Sequence, residues 1–299
     1  MKVVIIGYGS IGRRHAKIIN KNFKNIKIYI CSKQIVPKFK FFHKLSDIKF
    51  IKPDYVIIAS ETSKHLKQLQ YLEKNFKNLK ILVEKPLFHK TTNFRIKKNK
   101  VFVGYNLRFH PYILKMQKIL KNKKIFDVQL ITNSFLPNWR KNISYKNNYA
   151  SHKSKGGGII LDLSHELDLM NLMFGNIKIT HSLFGKKSKL TKNTEDFLKI
   201  IATSKKTHIS LDLKYYSRNE IRVILIDSEK FSIFINLKKN IFRLTNDKKI
   251  SEIKKKYPKD FTYLEMHKAI IYNNKQNILC SYNEGLKVIK TVNDIKKAI

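Results

Sequence analysis

Cysteine is nearly absent from this chain of 299 residues. Cys31 and Cys280 lie far apart and form no C-x-x-C pair, which excludes a disulfide-rich scaffold, a zinc–cysteine cluster and a dithiol redox motif. We therefore expect two reduced thiols and no metal site. No apolar run approaches the roughly eighteen residues that span a bilayer, and the N-terminus lacks the features of a secretory signal peptide. These absences predict a soluble, cytoplasmic protein.

Acidic residues are also scarce, with 21 against 62 basic ones, and the formal net charge is +41. The excess is mostly lysine, extends from end to end and accompanies abundant asparagine and isoleucine, which is typical of compositional drift rather than of a selected surface. A nucleic-acid binder stays open on charge alone, although no recognition-helix or RNP-like motif supports it. The same field would attract an acidic small molecule, such as a carboxylated sugar or sugar nucleotide.

Glycine is rare, with 10 in the chain, yet three fall together near the N-terminus. Residues 2–6 read as a buried strand, and Gly7, Gly9 and Gly12 follow it at the G-x-G-x-x-G spacing. This spacing permits a tight turn, close approach of the backbone to a pyrophosphate, and close packing of the next helix. That helix would begin at Ser10 and Ile11 and point its free N–H groups at the pyrophosphate. The stretch predicts a dinucleotide-binding βαβ unit.

The second strand of this unit ends at Ser32 and Lys33. An acidic side chain at this place would bind the ribose 2′-hydroxyl of NAD, whereas a 2′-phosphate needs a hydroxyl or a cation. Because the chain offers a serine and a lysine and no acid, we favour NADP(H), with NAD(H) as the alternative.

Two further buried strands, at 53–60 and 80–83, bring polar residues to the carboxyl edge of the predicted parallel sheet, and a shorter strand follows at 101–104. A helix from Glu61 to about Phe76 follows the first of them, and capping that helix is the alternative role for its first hydroxyl residues. We assign to the cofactor site the polar residues after these strands: Ser60, Thr62, His65, Glu84 and Lys85. Lys85 stands between the end of a strand and Pro86, so its side chain is expected to point into the ligand crevice.

The pattern changes at Tyr105, where we place the start of a second domain, so that the predicted domains are 1–104 and 105–299. An amphipathic helix at 112–121 is followed by alternating apolar and polar residues at 125–135 and 178–245. This alternation predicts an antiparallel sheet with one covered and one open face. The remaining segments are interpreted as a long loop at 137–155, expected over the cleft, and as two closing helices at 262–272 and 283–298.

A triple glycine, 156–158, precedes a predicted amphipathic helix with Asp162, His165 and Asp168 at intervals of three, hence on one face. An imidazole beside a carboxylate suits removal of a hydroxyl proton near neutral pH. The alternative is a surface or capping pair without catalytic function.

Taken together, the glycine motif with His15, the sequence Glu84-Lys85-Pro86, the stretch 105–111 and the triple glycine with Asp162 and His165 resemble the glucose-fructose oxidoreductase/inositol dehydrogenase (Gfo/Idh/MocA) family. The resemblance implies an α/β protein in which a doubly wound parallel Rossmann sheet precedes an α+β domain with an open-faced, mainly antiparallel sheet. It implies nicotinamide at the domain junction and a homo-oligomer formed through the C-terminal sheet.

The resemblance also implies catalytic roles: Lys85 polarises the reacting oxygen, His165 exchanges its proton, and Asp162 holds substrate or tunes the site. Many family members have D-x-x-x-H where this chain has D-x-x-H. Glu166 fills the base position when counted from Asp162, whereas His165 keeps its spacing to the downstream helix, and we favour His165.

We expect an NAD(P)-dependent dehydrogenase or reductase that acts on a secondary alcohol or ketone of a sugar, sugar nucleotide or polyol. Candidate substrate contacts are Arg108, Trp139, Arg140 and Tyr149, because arginine pairs with carboxylate or phosphate and aromatic rings can stack on a sugar. The stretch 136–140 and the sequence DLSHELD look like a bacterial subgroup linked to surface-sugar gene clusters. The alternative is a non-catalytic protein of the same fold that senses a dinucleotide or binds a partner.

Overall fold

A computed structural model describes residues 1–139 and 149–298. The chain forms two compact units, one of residues 1–109 and 259–289 and the other of residues 110–258 and 290–299. The domain boundary predicted from the sequence lies between residues 104 and 105. In the structure, residues 259–289 return to the first unit. Their return depends on contacts between residues distant in sequence, which local patterns do not encode.

The first unit contains a seven-stranded sheet in the order β15-β6-β5-β4-β1-β2-β3. Numbered along the chain, its strands are β1 (Lys2–Ile6), β2 (Lys27–Cys31), β3 (Lys40–Phe42), β4 (Tyr55–Ile58), β5 (Lys80–Val83), β6 (Lys100–Val103) and β15 (Cys280–Ser281). All neighbours are parallel except β15, which is antiparallel to β6. Strand order reverses at β1, so ligands are expected beyond the carboxyl end of this strand. The predicted parallel Rossmann sheet is confirmed.

The register of this sheet aligns the ends of its central strands. Ile6 at the end of β1 pairs with Cys31 on one side and Ile58 on the other, and Ile58 pairs with Val83. The four strands are largely apolar and buried, as a parallel sheet with both faces covered requires. Residues that follow each strand therefore emerge at one edge.

The helices of the first unit are α1 (Ser10–Asn22), α2 (Ile48–Ile51), α3 (Thr62–Asn75) and α7 (Phe261–Ile271). Helix α7 packs against α1, with Met266 and Ala269 in the same buried cluster as Ala16 and Ile19. Helix α8 (Tyr282–Lys297) begins in the first unit and ends in the second.

The second unit contains an eight-stranded sheet in the order β14-β13-β12-β11-β7-β10-β9-β8. Its strands are β7 (Ile125–Phe135), β8 (Lys178–Gly185), β9 (Phe197–Ser204), β10 (Thr207–Lys214), β11 (Tyr216–Ser228), β12 (Ser232–Asn236), β13 (Ile241–Thr245) and β14 (Ile250–Lys254). All pairs are antiparallel except β7 with β10, which is parallel. Buried and partly exposed residues alternate along β10, which confirms the predicted mainly antiparallel sheet.

The helices of the second unit are α4 (Pro111–Leu120), α5 (Ile159–Asp162) and α6 (Ser164–Phe174). Pro111 occupies the first turn of α4, where a missing N–H costs nothing, and His110 caps the helix by accepting a hydrogen bond from the Tyr112 amide. In the part of the chain that the structure covers, none of the helices is long and apolar enough to cross a membrane.

Candidate active site

The glycine turn after β1 has the shape that a pyrophosphate requires. Gly7 has φ of 94°, and a Cβ there would lie 2.8 Å from backbone atoms of Ala59 and Ser60. A Cβ on Gly12 would collide with the Gly7 carbonyl, so only glycine allows α1 to pack this close to the strand. Gly9 precedes α1, and a Cβ there would meet nothing within 4 Å. The turn thus combines close packing on one side with open space at Gly9.

The first turn of α1 supplies the hydrogen-bond donors of this site. Gly9 has no side chain to cap the helix, and the amides of Ser10 and Ile11 belong to the first turn, whose N–H groups have no intrahelical acceptors. Ser10 is exposed and Ile11 is half-buried. These N–H groups and the positive end of the helix dipole suit a bound anion.

At the end of β2 the structure places basic and neutral groups. Lys33 is exposed, and the Ser32 hydroxyl accepts a hydrogen bond of 3.0 Å from the Gln34 amide. His43 Nδ1 lies 2.8 Å from the Ser32 carbonyl, which brings a second basic side chain to this place. The end of β2 is therefore suited to a negatively charged group.

Ser60, Thr62 and His65 surround the start of α3. The residue that precedes the helix is Glu61, which makes no side-chain capping bond, so the capping alternative for Ser60 and Thr62 is wrong. Ser60 instead donates to Gln68 Oε1 at 2.7 Å, and Thr62 is buried.

His65 is 1% exposed and surrounded by backbone carbonyls. Its Nδ1 lies 3.2 Å from the carbonyl oxygens of both Pro86 and Leu87, and its Nε2 lies 3.2 Å from that of Ser60. Burial lowers the pKa of His65. The ring therefore joins the end of β4 to the segment that follows Lys85, and its contacts are structural.

Lys85 lies two residues after the end of β5 and is half-buried. The preceding carboxylate of Glu84 is 4% exposed, and its Oε2 accepts a hydrogen bond of 3.2 Å from the Lys85 amide. Glu84 Oε1 lies 3.0 Å from Nε2 of His15, a helix α1 residue. Glu84 thus points inward and binds the protein, so its contacts differ from those expected of a ligand-facing side chain.

In the second unit, Gly158 leaves room for the Glu195 carboxylate close to the start of α5. Its φ is 115°, and a Cβ would collide with the Glu195 carboxylate. Burial raises the pKa of Glu195, and the nearby Asp162 charge adds to this effect. Glycine is therefore required at this position for both conformation and space.

The prediction of a single amphipathic helix after the triple glycine is wrong in two respects. The segment forms two helices, α5 and α6, separated at Leu163 with φ of −97° and ψ of 28°. Asp162 ends the first helix and His165 lies in the first turn of the second, so the two do not share one regular helical face. The segment is also buried almost throughout, because it packs on the sheet.

Asp162 and His165 are both buried, with 2% and 9% of their surface exposed. Asp162 Oδ2 accepts a hydrogen bond of 2.7 Å from the Tyr215 hydroxyl. The ring of Trp139 stands edge-to-face against Tyr215, with centroids 5.1 Å apart. The structure thus brings Trp139 beside the residue that holds Asp162.

The Glu166 carboxylate binds side chains of the sheet. It is 2% exposed, and its Oε1 accepts hydrogen bonds from the Thr132 hydroxyl at 2.7 Å and from Arg222 Nε at 2.6 Å. Because Thr132 and Arg222 pair across β7 and β11, the carboxylate anchors α6 to the sheet. This role favours His165 over Glu166 as the proton-exchanging group.

The structure corrects the expectation for Arg108. Its side chain is 1% exposed, and Nη1 binds Glu284 Oε1 at 2.7 Å. A guanidinium that is buried and paired in this way stabilises the fold, so we expect a structural role for Arg108. Arg140 lies outside the described residues. Tyr149 begins a short 3-10 helix, Tyr149–Ser151, and its side chain also lies outside what the structure describes.

Several residues near the predicted site carry no sequence signal. Tyr215 follows β10, Arg222 lies within β11, and Glu195 sits between β8 and β9. His267 and Tyr55 join His15 in a buried hydrogen-bonded group. Only His15 was part of a recognised motif, because its partners lie in segments that show nothing beyond an ordinary helix or strand pattern. The described part of the chain contains no cluster of His, Cys, Asp and Glu suited to a metal ion.

Comparison with protein families gives two matches. A family described as oxidoreductase family, NAD-binding Rossmann fold, matches residues 1–97. A second, described as oxidoreductase family, C-terminal alpha/beta domain, matches residues 117–299. Both are halves of the Gfo/Idh/MocA type, and together they cover most of the chain. No curated protein sequence matches at a significant level.

Several solved structures share the fold over the whole chain. A UDP-N-acetylglucosamine 3-dehydrogenase from Acidithiobacillus ferrooxidans has a TM-score of 0.77 at 15% identity and covers 100% of this chain and 97% of its own. The WlbA dehydrogenase from Bordetella pertussis, solved with NADH and UDP-GlcNAcA, also has a TM-score of 0.77 at 15% identity, with coverage of 100% and 95%. A levoglucosan dehydrogenase in complex with NADH has a TM-score of 0.80 at 14% identity, with coverage of 100% and 96%.

Proposed function

Because the chain belongs to the Gfo/Idh/MocA oxidoreductase family, we propose that it transfers a hydride between nicotinamide and a secondary alcohol or ketone of a sugar, sugar nucleotide or related polyol. The observation that carries the proposal is Lys85, which stands at the carboxyl end of β5 with its amide held by a buried carboxylate. Ligands bind beyond this edge of a doubly wound sheet. An ammonium group at this edge suits a substrate oxygen.

The chemistry divides among three side chains. The Lys85 ammonium binds the reacting oxygen and stabilises the negative charge that develops on it. His165 takes the hydroxyl proton during oxidation and returns it during reduction. Asp162, held by Tyr215, orients substrate or the imidazole. A bound nicotinamide accepts or supplies the hydride.

The glycine turn and the start of α1 would hold the pyrophosphate, through Gly7, Gly9, Ser10, Ile11 and Gly12. We propose NADP(H) as the preferred cofactor, because Ser32, Lys33 and His43 gather at the end of β2, where a 2′-phosphate would lie. Direct titration with NADPH and NADH by intrinsic fluorescence would measure the preference. Tighter binding of NADH would contradict it.

The proposed substrate is sugar-like and acidic. Two of the similar structures are named for, or bound to, a UDP-sugar, and the net charge of +41 favours an anionic ligand. Trp139 is positioned beside Tyr215 and is the supported candidate for a sugar contact. Arg140 and Tyr149 remain predicted contacts, and bacterial surface-sugar synthesis is the proposed context. The two cysteines are buried and free, which fits a reducing compartment such as the cytoplasm.

A homo-oligomer through the second sheet is part of the proposal. The Thr132 hydroxyl binds Glu166 of α6, so Thr132 lies on the sheet face that α6 covers. Ile131 belongs to the opposite face, and the strand register continues this face to Leu183, which is 60% exposed, and to Ile201, which is 58% exposed. Exposed apolar residues on a flat sheet suit self-association. Light scattering would detect the oligomer, and the double variant L183K/I201K should dissociate it.

The decisive experiment screens keto-sugars, sugar acids and sugar nucleotides for cofactor oxidation or reduction by the wild-type protein and by Lys85→Ala. Loss of Lys85 should lower the rate about 10²- to 10³-fold or more and leave cofactor affinity unchanged. Lys90→Ala, at an exposed lysine nearby, is the control and should keep full activity. Cofactor binding without turnover of any substrate would instead favour a non-catalytic sensor.

A further inference from the structure

Four buried polar side chains of the first unit form one continuous chain of hydrogen bonds. The Tyr55 hydroxyl lies 3.1 Å from His267 Nδ1, and His267 Nε2 lies 2.9 Å from His15 Nδ1. His15 Nε2 lies 3.0 Å from Glu84 Oε1. Tyr55 and both histidines are 0% exposed and Glu84 is 4% exposed. Four separate elements therefore meet in one polar chain inside an otherwise apolar core.

The direction of the hydrogen bonds follows from the carboxylate at one end. A carboxylate oxygen accepts, so His15 Nε2 donates to Glu84, and Nδ1 of a neutral His15 ring then accepts. His267 Nε2 then donates to His15, and His267 Nδ1 accepts from the Tyr55 hydroxyl. For a neutral His15 ring, the reverse direction would need a proton on Glu84 and a further acceptor for the Tyr55 hydroxyl. Every group in the first arrangement has a hydrogen-bond partner.

The surroundings agree with this arrangement. Burial and the neighbouring His15 lower the pKa of His267, so this ring is neutral at pH 7. Burial and the Glu84 charge raise the pKa of Tyr55, so its hydroxyl keeps its proton. The two groups behind His15 therefore stay uncharged at pH 7.

The carboxylate at the end of the chain has little room to move. A Cβ on Gly104 would lie 2.7 Å from Glu84 Oε1 and 3.0 Å from its carboxyl carbon. With Oε1 bound to His15, Oε2 accepts from the amide of Lys85. The position of the Lys85 backbone is thus linked, through Glu84, to a helix α1 residue.

We propose that His15 and His267 are positioning residues for Lys85: His267 holds His15, His15 holds the Glu84 carboxylate, and the carboxylate holds the backbone amide of Lys85. The inference rests on the proposed function of Lys85. A displacement of about 1 Å in a catalytic group can cost about 10²-fold in rate. His65 contacts the carbonyls of Pro86 and Leu87, which follow Lys85. The backbone is therefore held both at Lys85 and just after it.

Two substitutions of His15 separate its two contacts. The amide nitrogen of glutamine can reach the place of His15 Nε2, so His15→Gln keeps a donor for Glu84. The shorter asparagine reaches only the place of Nδ1, so His15→Asn keeps an acceptor for His267 and loses Glu84. Both variants remove the ring and leave a neutral amide in α1, which makes them a matched pair.

The Lys85 amide can be observed without an activity assay. The chain has three Glu–Lys dipeptides, 73–74, 84–85 and 229–230, so labelling glutamate carbonyls with ¹³C and lysine nitrogens with ¹⁵N gives three amide signals. Lys85→Arg identifies the signal of Lys85 by its loss. We expect its proton to move upfield in His15→Asn and to stay in place in His15→Gln, while the other two signals stay fixed in both.

The kinetic arm compares the same two variants. We expect kcat to fall about tenfold in His15→Asn, with cofactor Kd unchanged, and to remain near the wild-type value in His15→Gln. Melting temperatures of both variants separate this effect from loss of stability. A rate loss that follows melting temperature rather than the contact to Glu84, or equal Lys85 shifts in the two variants, would overturn the proposal.

The two arms also separate this inference from the proposed function. Wild-type protein that transfers no hydride, with the predicted Lys85 shifts intact, would reject the proposed function and support the link from His15 to the Lys85 amide. An active wild type with the predicted shifts and undiminished kcat in His15→Asn would reject the positioning role.

Discussion

Two buried carboxylates adjoin the two residues proposed to act on the substrate oxygen, and the protein stabilises them in different ways. Glu84 precedes Lys85 and is bound by a backbone amide and an imidazole. Glu166 follows His165 and is bound by a hydroxyl and a guanidinium. The first carboxylate depends on two nitrogen donors, one from the neighbouring backbone and one from helix α1. The second depends on one cation of the sheet.

The difference sets what each region can tolerate. A buried charge that loses its one opposite charge is left with a large desolvation cost, whereas loss of one of two donors removes a single charge-assisted hydrogen bond. We therefore expect substitutions around Glu166 to act mainly on folding. Substitutions around Glu84 should act on folding less and on the geometry of Lys85 more.

The largest effect should come from Arg222→Met, which removes the cation from Glu166. Glu166 is 3% exposed and Arg222 22% exposed at the side chain, so the carboxylate would stay buried with only Thr132. We expect the free energy of unfolding to fall by about 3 kcal/mol or more, measured by urea denaturation. The double variant R222M/E166L should recover most of this loss because it removes both charges. A double variant no more stable than R222M would contradict the charge argument.

Gly104→Ala should have the next largest effect and tests the region around Glu84. The added methyl would press on the Glu84 carboxylate at 2.7 Å, which forces the side chain or the backbone to shift. We expect a loss of about 2 kcal/mol in stability together with lower kcat. Gly185→Ala is the control, since its methyl would meet only the Phe197 ring at 3.4 Å. Equal behaviour of the two variants would show that the space around Glu84 is not restrictive.

Tyr215→Phe should have a smaller effect on stability, because it removes the hydrogen bond between Tyr215 and Asp162 and no charged group. The lost hydrogen bond to Asp162 is 2.7 Å long and buried, and a bond to a charged group contributes about 1.5–3 kcal/mol. We expect a loss near the lower end of this range, measured by thermal unfolding, with reduced kcat in the substrate assay. Tyr216→Phe, at the neighbouring half-buried tyrosine, should change neither quantity.

The sequence predicted the parallel sheet and its glycine turn because these depend on local features. Continuous apolar runs marked the strands, and the glycine spacing marked the turn after β1. The closing helices were equally visible from their periodicity and match α7 and α8. The two-residue strand β15 and the three-residue strand β3 are too short to leave a pattern.

The contacts of the candidate site could not be predicted, because they join residues far apart in the chain. His15 and His267 are 252 positions apart, and Asp162 and Tyr215 are 53 apart. The break at Leu163 was also hidden, since three-residue spacing of Asp162 and His165 fits one regular helix. Arg108 illustrates the opposite error: its charge suggested a ligand contact, but only the fold reveals the pairing with Glu284.

The smallest expected effect is a pH dependence of stability in the region around Arg222. Burial, with the Arg222 charge adding to it, lowers the pKa of His110 from 6.5 to about 4. Because the unfolded chain binds a proton that the folded protein rejects, stability is full above pH 6.5 and falls as the pH drops towards 4. Between pH 7 and 5.5 the loss from this group should be about 1 kcal/mol.

His110→Asn isolates the contribution of this group. Asparagine can cap α4 as His110 does by accepting from the Tyr112 amide, but it does not titrate. Unfolding free energies at the two pH values should therefore diverge between wild type and variant by the predicted amount, because all other titrating groups are shared. In R222M the pKa of His110 should rise, whereas in His15→Gln it should not move. If His110→Asn keeps the wild-type pH dependence, His110 is not the group responsible, and the influence of Arg222 then ends at Glu166.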